Sequence, residues 1–421
     1  MGRPHVASGL ANGVKELVIR AGQIVLADEV VTDAVLEVDR GRITRVVAAA
    51  EGPTPTHWFP DGTVLPGMVD VHVHGCGGWR VGADDGDPDA VLAGMRRALA
   101  SMGVTAFLAT IATAEDDVTL AALRSVARLG GSPSQDGRQG AVVLGAHLEG
   151  PYLNPKRKGA MRPELMRAPD VTHFERMWDA SEGSVRYVTL APERDGAGAL
   201  IPVLRERGVH VSAGHTDALH EQMLEAFRGG VGGVTHVFNA MRGIHHREPG
   251  VAGAALTTPG VWVELIGDGI HVHPDVMRLV IAARGPQWVT IISDAGRYAG
   301  MPSGTYDEGH RTMVVDGLRC AYPDGTLAGS ASPMNRNLMF LHERLELPWP
   351  TIATMVAANP ARMLGIADRK GSLAQGMDAD FVVMGPAGDV ELAVVGGRVA
   401  HARADDHGSD GSVIGIGGDA A

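Results

Sequence analysis

The chain has 421 residues, 45% of them apolar, with 57 glycines, few aromatics and a formal charge of −12. That length exceeds the usual single domain, unless one domain is a barrel with a smaller one attached. The acidity argues against a nucleic-acid groove or an anionic membrane surface as partner, so basic residues that meet an anionic ligand must be local exceptions. Two cysteines, Cys76 and Cys320, build no disulfide framework and fit a reducing compartment. Met1 to Val14 has no signal-peptide core, and no run approaches ~18 apolar residues, so the cytoplasm is the expected location.

In chain order, the first segment reads as short strands over Glu16–Ile19, Gln23–Leu26, Ala34–Val38 and Arg42–Val47, turned at Ala21-Gly22 and Arg40-Gly41. The far end repeats the pattern at Asp380–Val383, Val390–Val395 and Arg398–Ala400, turned at Gly396-Gly397. We expect residues 1–64 and 361–403 to form one small β-domain, a β-sandwich, around a central unit of residues 65–360. The tail, 404–421, is rich in Gly and Asp with little to bury, and is expected to be disordered.

Eight apolar runs fill the centre: Val69–His74, Val104–Thr110, Ala141–Glu149, Val185–Pro192, Val209–His215, Gly233–Asn239, Val261–His271 and Trp288–Asp294. Helical patterns such as Asp89–Met102 and Leu219–Arg228 separate them. Continuous apolar strands between amphipathic helices indicate a parallel sheet with both faces covered. Eight units predict an α/β fold, a (β/α)8 TIM-like barrel. A doubly wound open sheet is the alternative, but no Gly-x-Gly-x-x-Gly follows the first run.

The chemistry sits at the ends of these runs. His72 and His74 are two apart on a strand and share a face. Glu149, His215, His236 and Asp294 close or follow later runs. Each alone has a bland explanation: Glu149 a turn cap, His215 a core histidine, Asp294 a helix N-cap. In a barrel, however, the C-terminal strand ends share one mouth, so all these residues converge. Glu149, His215 and His236 make a site of two histidines and one carboxylate with a position left for water. His72 and His74 with Asp294 can hold a second ion, Glu149 bridging. One or two divalent metal ions are expected, zinc foremost and iron, manganese, cobalt or nickel as alternatives. Asp294 is the candidate general base. Cys76, two residues past His74, is read as a small buried thiol rather than a ligand.

The order His-x-His, His-Leu-Glu-Gly-Pro-Tyr (147–152), Gly-His-Thr, Thr-His-x-Phe-Asn-Ala-Met, Arg-Glu-Pro-Gly (247–250), Asp-Gly-x-His and Ser-Asp-Ala resembles the amidohydrolase superfamily. Asn359-Pro360-Ala361 and Gly371-Ser372-Leu373 match its return to the small β-domain. Within the superfamily the chain is similar to the N-acetylglucosamine-6-phosphate deacetylases, from about Gln23 to Ala400. The resemblance implies hydrolysis of the acetamide of an amino-sugar 6-phosphate, with Asp294 taking a proton from the attacking water and passing it to the departing nitrogen. It implies a phosphate site from the backbone of Asn239 and Ala240, His271 and Arg247, the arginine reaching across a homodimer into the neighbouring site. The chain departs from the family at Met161, where a polar residue is usual, and at Gly296-Arg297-Tyr298 after Asp294. Rival readings are a deacetylase of N-acetylgalactosamine 6-phosphate, a cyclic-amide amidohydrolase of the dihydroorotase type, and a non-catalytic scaffold. The cyclic-amide type commonly bridges its metals with a modified lysine, and no lysine stands at a strand end here.

Overall fold

The computed structural model describes residues 16–83, 86–131, 140–308 and 311–404. The readings of Met1 to Val14 and of the tail beyond residue 404 lie outside them. Eight parallel strands form the central sheet: β1 (Met68–Val73), β2 (Val104–Ala112), β3 (Val142–Glu149), β4 (Val185–Leu190), β5 (His210–Ala213), β6 (Gly233–Val234), β7 (Trp262–Ile266) and β8 (Val289–Ile292). Each neighbours the next in chain order, and helices intervene, from α1 (Pro88–Ser101) and α2 (Asp116–Leu129) to α7 (Pro274–Arg284). This is the expected barrel. Local chemistry sets the helix starts: Asp87 accepts the Asp89 N–H at 3.1 Å, and Pro88 occupies the first turn of α1.

β8 and β1 share no ladder and are joined by residues of β1 and residues just past the end of β8. There, Asp294 N–H donates to the His72 carbonyl at 3.0 Å, and His74 N–H donates to the Ala295 carbonyl at 2.9 Å. Lower down, buried Asp70 ties the two strands together by accepting the Ser293 hydroxyl at 2.5 Å. The lumen is polar. Thr189 on β4 reaches Thr235, just past β6, at 2.8 Å, and His147 on β3 reaches Thr189 at 2.8 Å. The Thr189–Thr235 bond passes across β5, which places these side chains inside the barrel, where each buried polar group needs a partner.

Both ends of the chain enter one continuous seven-stranded sheet. The strand His57–Pro66 lies at its centre, parallel to Leu17–Val25 and antiparallel to Phe381–Met384. One face carries a separate core that includes Ile19, Leu36, Phe381 and Leu392. The sheet curls until the turn at Gly41 meets the turn at Gly396-Gly397. A Cβ on Gly397, whose φ is +74°, would stand 2.5 Å from the Gly41 Cα. Two expectations change here. Ala21-Gly22 is not a turn but lies within Leu17–Val25, and His57–Pro66 is a strand not foreseen. Gly22 marks a close approach instead: a Cβ there would lie 2.2 Å from the Pro60 carbonyl oxygen. A further unforeseen unit follows β8, a three-stranded meander of Gly304–Asp307, Thr312–Asp316 and Arg319–Ala321.

Candidate metal-binding active site

The barrel mouth gathers all six of the residues expected as ligands. Glu149 Oε1 is 2.9 Å from His236 Nε2 and 3.2 Å from His215 Nε2, and those two nitrogens are 3.2 Å apart. On the other side, His72 Nε2 and His74 Nε2 are 3.3 Å apart, with Asp294 Oδ1 at 3.5 and 3.4 Å from them. Glu149 Oε2 faces this second group, 3.1 Å from His74 Nε2. The atoms fall into two triads, His72–His74–Asp294 and Glu149–His215–His236, each with its ligand atoms within 4.8 Å of one another. The carboxylate of Glu149 lies between the triads.

The backbone at these positions is unusual. His215, His236 and Asp294 have φ values of +45°, +33° and +46°. Non-glycine residues rarely adopt this left-handed conformation, which costs of order 1–3 kcal/mol and concentrates at functional sites. Here it turns each chain sharply at the end of its run and aims the side chain into the mouth.

The hydrogen-bond partners favour metal over protons. His215 Nδ1 is 2.8 Å from the Arg157 carbonyl, and His72 Nδ1 is 3.1 Å from Glu264 Oε2. Both partners accept, so each Nδ1 carries the proton and each Nε2 offers a lone pair. Those lone pairs point at one another and at carboxylate oxygens, an arrangement that a cation between them resolves. Burial alone would push the Glu149 carboxyl up, but the surrounding imidazoles, His72 foremost, hold it well below the usual carboxylate range. Asp294 is held down to about 2: burial opposes its charge, and His72 and His74 outweigh that. His147, despite its place in the His-Leu-Glu motif, is not in the ring. Burial pushes its pKa well down, and it bonds to Thr189 as a neutral lumen residue. Cys76 lies away from the ligands, buried beside the Met95 carbonyl.

The ring forms the floor of a cleft of about 930 Å³, measured to its open mouth. Asn239, Ala240 and His271 line it, as do Met161 and Arg297. Asn239 donates its own N–H to the His236 carbonyl and its side-chain amide to His236 and Val237 carbonyls. The adjacent Ala240 N–H has no acceptor among the described residues, and φ of +48° sets its direction. His271 Nδ1 is 2.7 Å from Asp268 Oδ2, which leaves Nε2 for a ligand. Burial works against a charged His271 ring, but the hydrogen bond and charge of Asp268 outweigh it and its pKa is raised. Arg247 does not line this cleft; it is exposed, its guanidinium 2.6 Å from His246 Nε2.

Three contributors were not foreseen. Glu264 sits inside the β7 apolar run, where a buried acid is itself a signal. Asp268 opens the Asp-Gly-x-His motif, so its role was readable there. The cleft wall made by Arg80, Glu308 and Arg311 comes from loops, and no spacing announces it.

The sequence profile of the amidohydrolase family matches residues 63–400. An N-acetylglucosamine-6-phosphate deacetylase of Bacillus subtilis (strain 168) is 38% identical over 392 residues, 92% of this chain and 97% of that protein. An N-acetylgalactosamine-6-phosphate deacetylase of Escherichia coli O157:H7 is 37% identical over 361 residues, 85% of this chain and 94% of that protein. The structure of a mutant N-acetyl-D-glucosamine-6-phosphate deacetylase from Mycobacterium smegmatis, in complex with N-acetyl-D-glucosamine-6-phosphate, superposes with a TM-score of 0.83 at 34% identity, covering 91% of this chain and 99% of that one. The family profile spans most of the chain and these relatives align over most of both lengths: the chain belongs to the amidohydrolase family.

Proposed function

We propose that the protein hydrolyses the acetamide of N-acetylglucosamine 6-phosphate, giving glucosamine 6-phosphate and acetate. The observation that carries this is that one cleft holds both the two-triad ring and a wall with Ala240 and His271, whose N–H groups suit an anion. His72, His74, Glu149, His215, His236 and Asp294 would hold one or two divalent ions, zinc foremost, which when bound lower the pKa of water and polarise an amide carbonyl. Asp294 takes the proton from the attacking water and delivers it to the departing nitrogen. Asn239 and Ala240 shape the phosphate end with backbone, and His271 Nε2 donates to it while Asp268 holds the opposite ring nitrogen. Because Arg247 is exposed and outside its own cleft, we assign it to the phosphate of a neighbouring subunit in a homodimer, where its planar fork suits that ligand. The two buried free thiols fit a cytoplasmic enzyme.

The test is acetate release by metal-reconstituted protein from N-acetylglucosamine 6-phosphate, its unphosphorylated sugar and N-acetylgalactosamine 6-phosphate. Strong turnover of the first alone supports the whole reading. Equal turnover of both phosphates moves the assignment to a broader deacetylase. No turnover of any, with stoichiometric metal bound, rejects it.

A further inference from the structure

Two carboxylates that stand outside the cleft lining tie four consecutive loops of the barrel mouth together. Glu193, after β4, accepts the Thr216 hydroxyl at 2.5 Å and the Asp217 N–H at 2.8 Å on the loop after β5. It also accepts the Asn154 side-chain amide at 2.7 Å on the loop after β3. Asp217 then reaches in two directions. Its Oδ1 takes Arg157 Nε at 2.9 Å and Nη2 at 2.7 Å, from the loop after β3. Its Oδ2 takes Arg242 Nη2 at 2.9 Å, from the loop after β6, and Arg242 Nε donates to the Asp217 carbonyl at 3.1 Å.

Three of these loops carry a residue of the site. The Arg157 carbonyl accepts from His215 Nδ1 at 2.8 Å, and Asn154 N–H donates to the His215 carbonyl at 2.9 Å. Arg242 lies two residues past Ala240, and its own N–H donates to the Thr216 carbonyl at 3.3 Å. Gly159 joins the two ends: a Cβ there would lie 3.1 Å from His215 Cε1 and 3.3 Å from the Ala240 Cβ. Metal ligand and phosphate end thus bear on one another through a glycine two residues past Arg157. Arg157 and Arg242 are about a third exposed, 35% and 32%, and ion pairs so placed add little stability. What two forked guanidiniums on one carboxylate do fix is geometry.

Resting on the deacetylase reading for the phosphate end, we propose that Asp217 is a positioning residue that couples the metal ligand His215 to Ala240. An ion held by Glu149, His215 and His236 fixes the His215 ring, and through Asp217 and Gly159 the loops after β3 and β6 are fixed with it. A phosphate at Ala240 then has less chain to order when it binds. By linkage, the phosphate tightens the ion by the same factor.

The experiment measures how firmly the zinc-loaded enzyme holds zinc against a chelator, with and without 2-deoxyglucose 6-phosphate. That sugar has the phosphate but no group at C2 to meet the metal, so any effect must cross the cleft. Wild-type enzyme should hold zinc at least about fivefold more tightly when the sugar phosphate is present. In Asp217→Asn and in Arg242→Gln that factor should fall to within about twofold of one, with circular dichroism unchanged. Without the sugar, Asp217→Asn should hold zinc at least about threefold less firmly than wild type. Arg242→Lys keeps a charge on Asp217 and should restore part of the coupling. Arg242→Gln, at a partly exposed side chain, decides the matter should Asp217→Asn not fold. An undiminished factor in the variants overturns the proposal, because metal and phosphate would then attract each other directly. So does a factor of one in wild-type enzyme that binds the sugar phosphate. An enzyme that does not bind the sugar phosphate at all strikes the phosphate end of the deacetylase reading. Zinc alone then judges Asp217, and equal retention by wild type and Asp217→Asn overturns its role.

Discussion

The carboxylate of Glu264 holds His72 Nδ1 at 3.1 Å and also accepts the backbone N–H of His236 at 3.3 Å. One buried acid on β7 therefore fixes a residue from each of the two triads. Glu264→Gln keeps an acceptor but removes the charge that makes the His72 ring a better ligand. We expect the affinity for metal to fall about 10- to 100-fold with the fold intact. Competition with a chelator, read beside circular dichroism, checks this; unchanged retention would leave the backbone as what orients His72.

Asp294 touches both histidines of its triad and faces the cleft. Replacing it with Asn preserves size but removes the proton acceptor, and kcat should drop on the order of 10²- to 10⁴-fold. KM should change little, and the Glu149–His215–His236 triad should still bind metal. Steady-state kinetics with metal analysis on one preparation separates the two effects.

His271 predicts a pH dependence. Its pKa is raised above the ordinary ~6.5 by Asp268, so the ring is protonated below that raised value and donates from both nitrogens. As pH climbs through it, Nε2 loses its proton and the phosphate loses a charged donor. KM for the phosphorylated sugar should therefore stay low into the neutral range and rise in alkali. His271→Gln should start from a higher KM and show no such rise, whereas a parallel rise in both proteins would place the titration elsewhere.

Two glycines test the contact between the edge hairpins. Gly397 and Gly365 both have positive φ, +74° and +70°, yet only Gly397 faces a neighbour at a would-be Cβ. Gly365→Ala should cost about 1–2 kcal/mol from the backbone alone. Gly397→Ala carries that cost and the clash with Gly41, and should melt clearly lower. Thermal unfolding of the pair measures the difference; equal melting temperatures would mean that the turns separate cheaply.

The ligand ring was legible because two regularities coincide. Period-two alternation puts His72 and His74 on one face, and barrel geometry brings Glu149, His215, His236 and Asp294 to the same mouth. The left-handed backbone at three of them was not legible, since sequence carries no sign of φ for a non-glycine residue. Gly22 misled for the opposite reason: a glycine reads as a turn, but here it marks a strand that must approach Pro60. Arg80 and Arg311 come together only because the meander after β8 docks on the loops after β1 and β3, a long-range contact that no local pattern encodes. Glu264 lay in plain view as an acid inside an apolar strand.

The central strand of the seven-stranded sheet, His57–Pro66, borrows one neighbour from each end of the chain. During synthesis its hydrogen-bonding edge toward Phe381–Met384 stays open while the whole barrel is being made. An open strand edge invites pairing with other chains. The ribosome thus carries this exposed edge until Phe381–Met384 emerges, and a chain that stops short after the barrel presents an adhesive border to its neighbours.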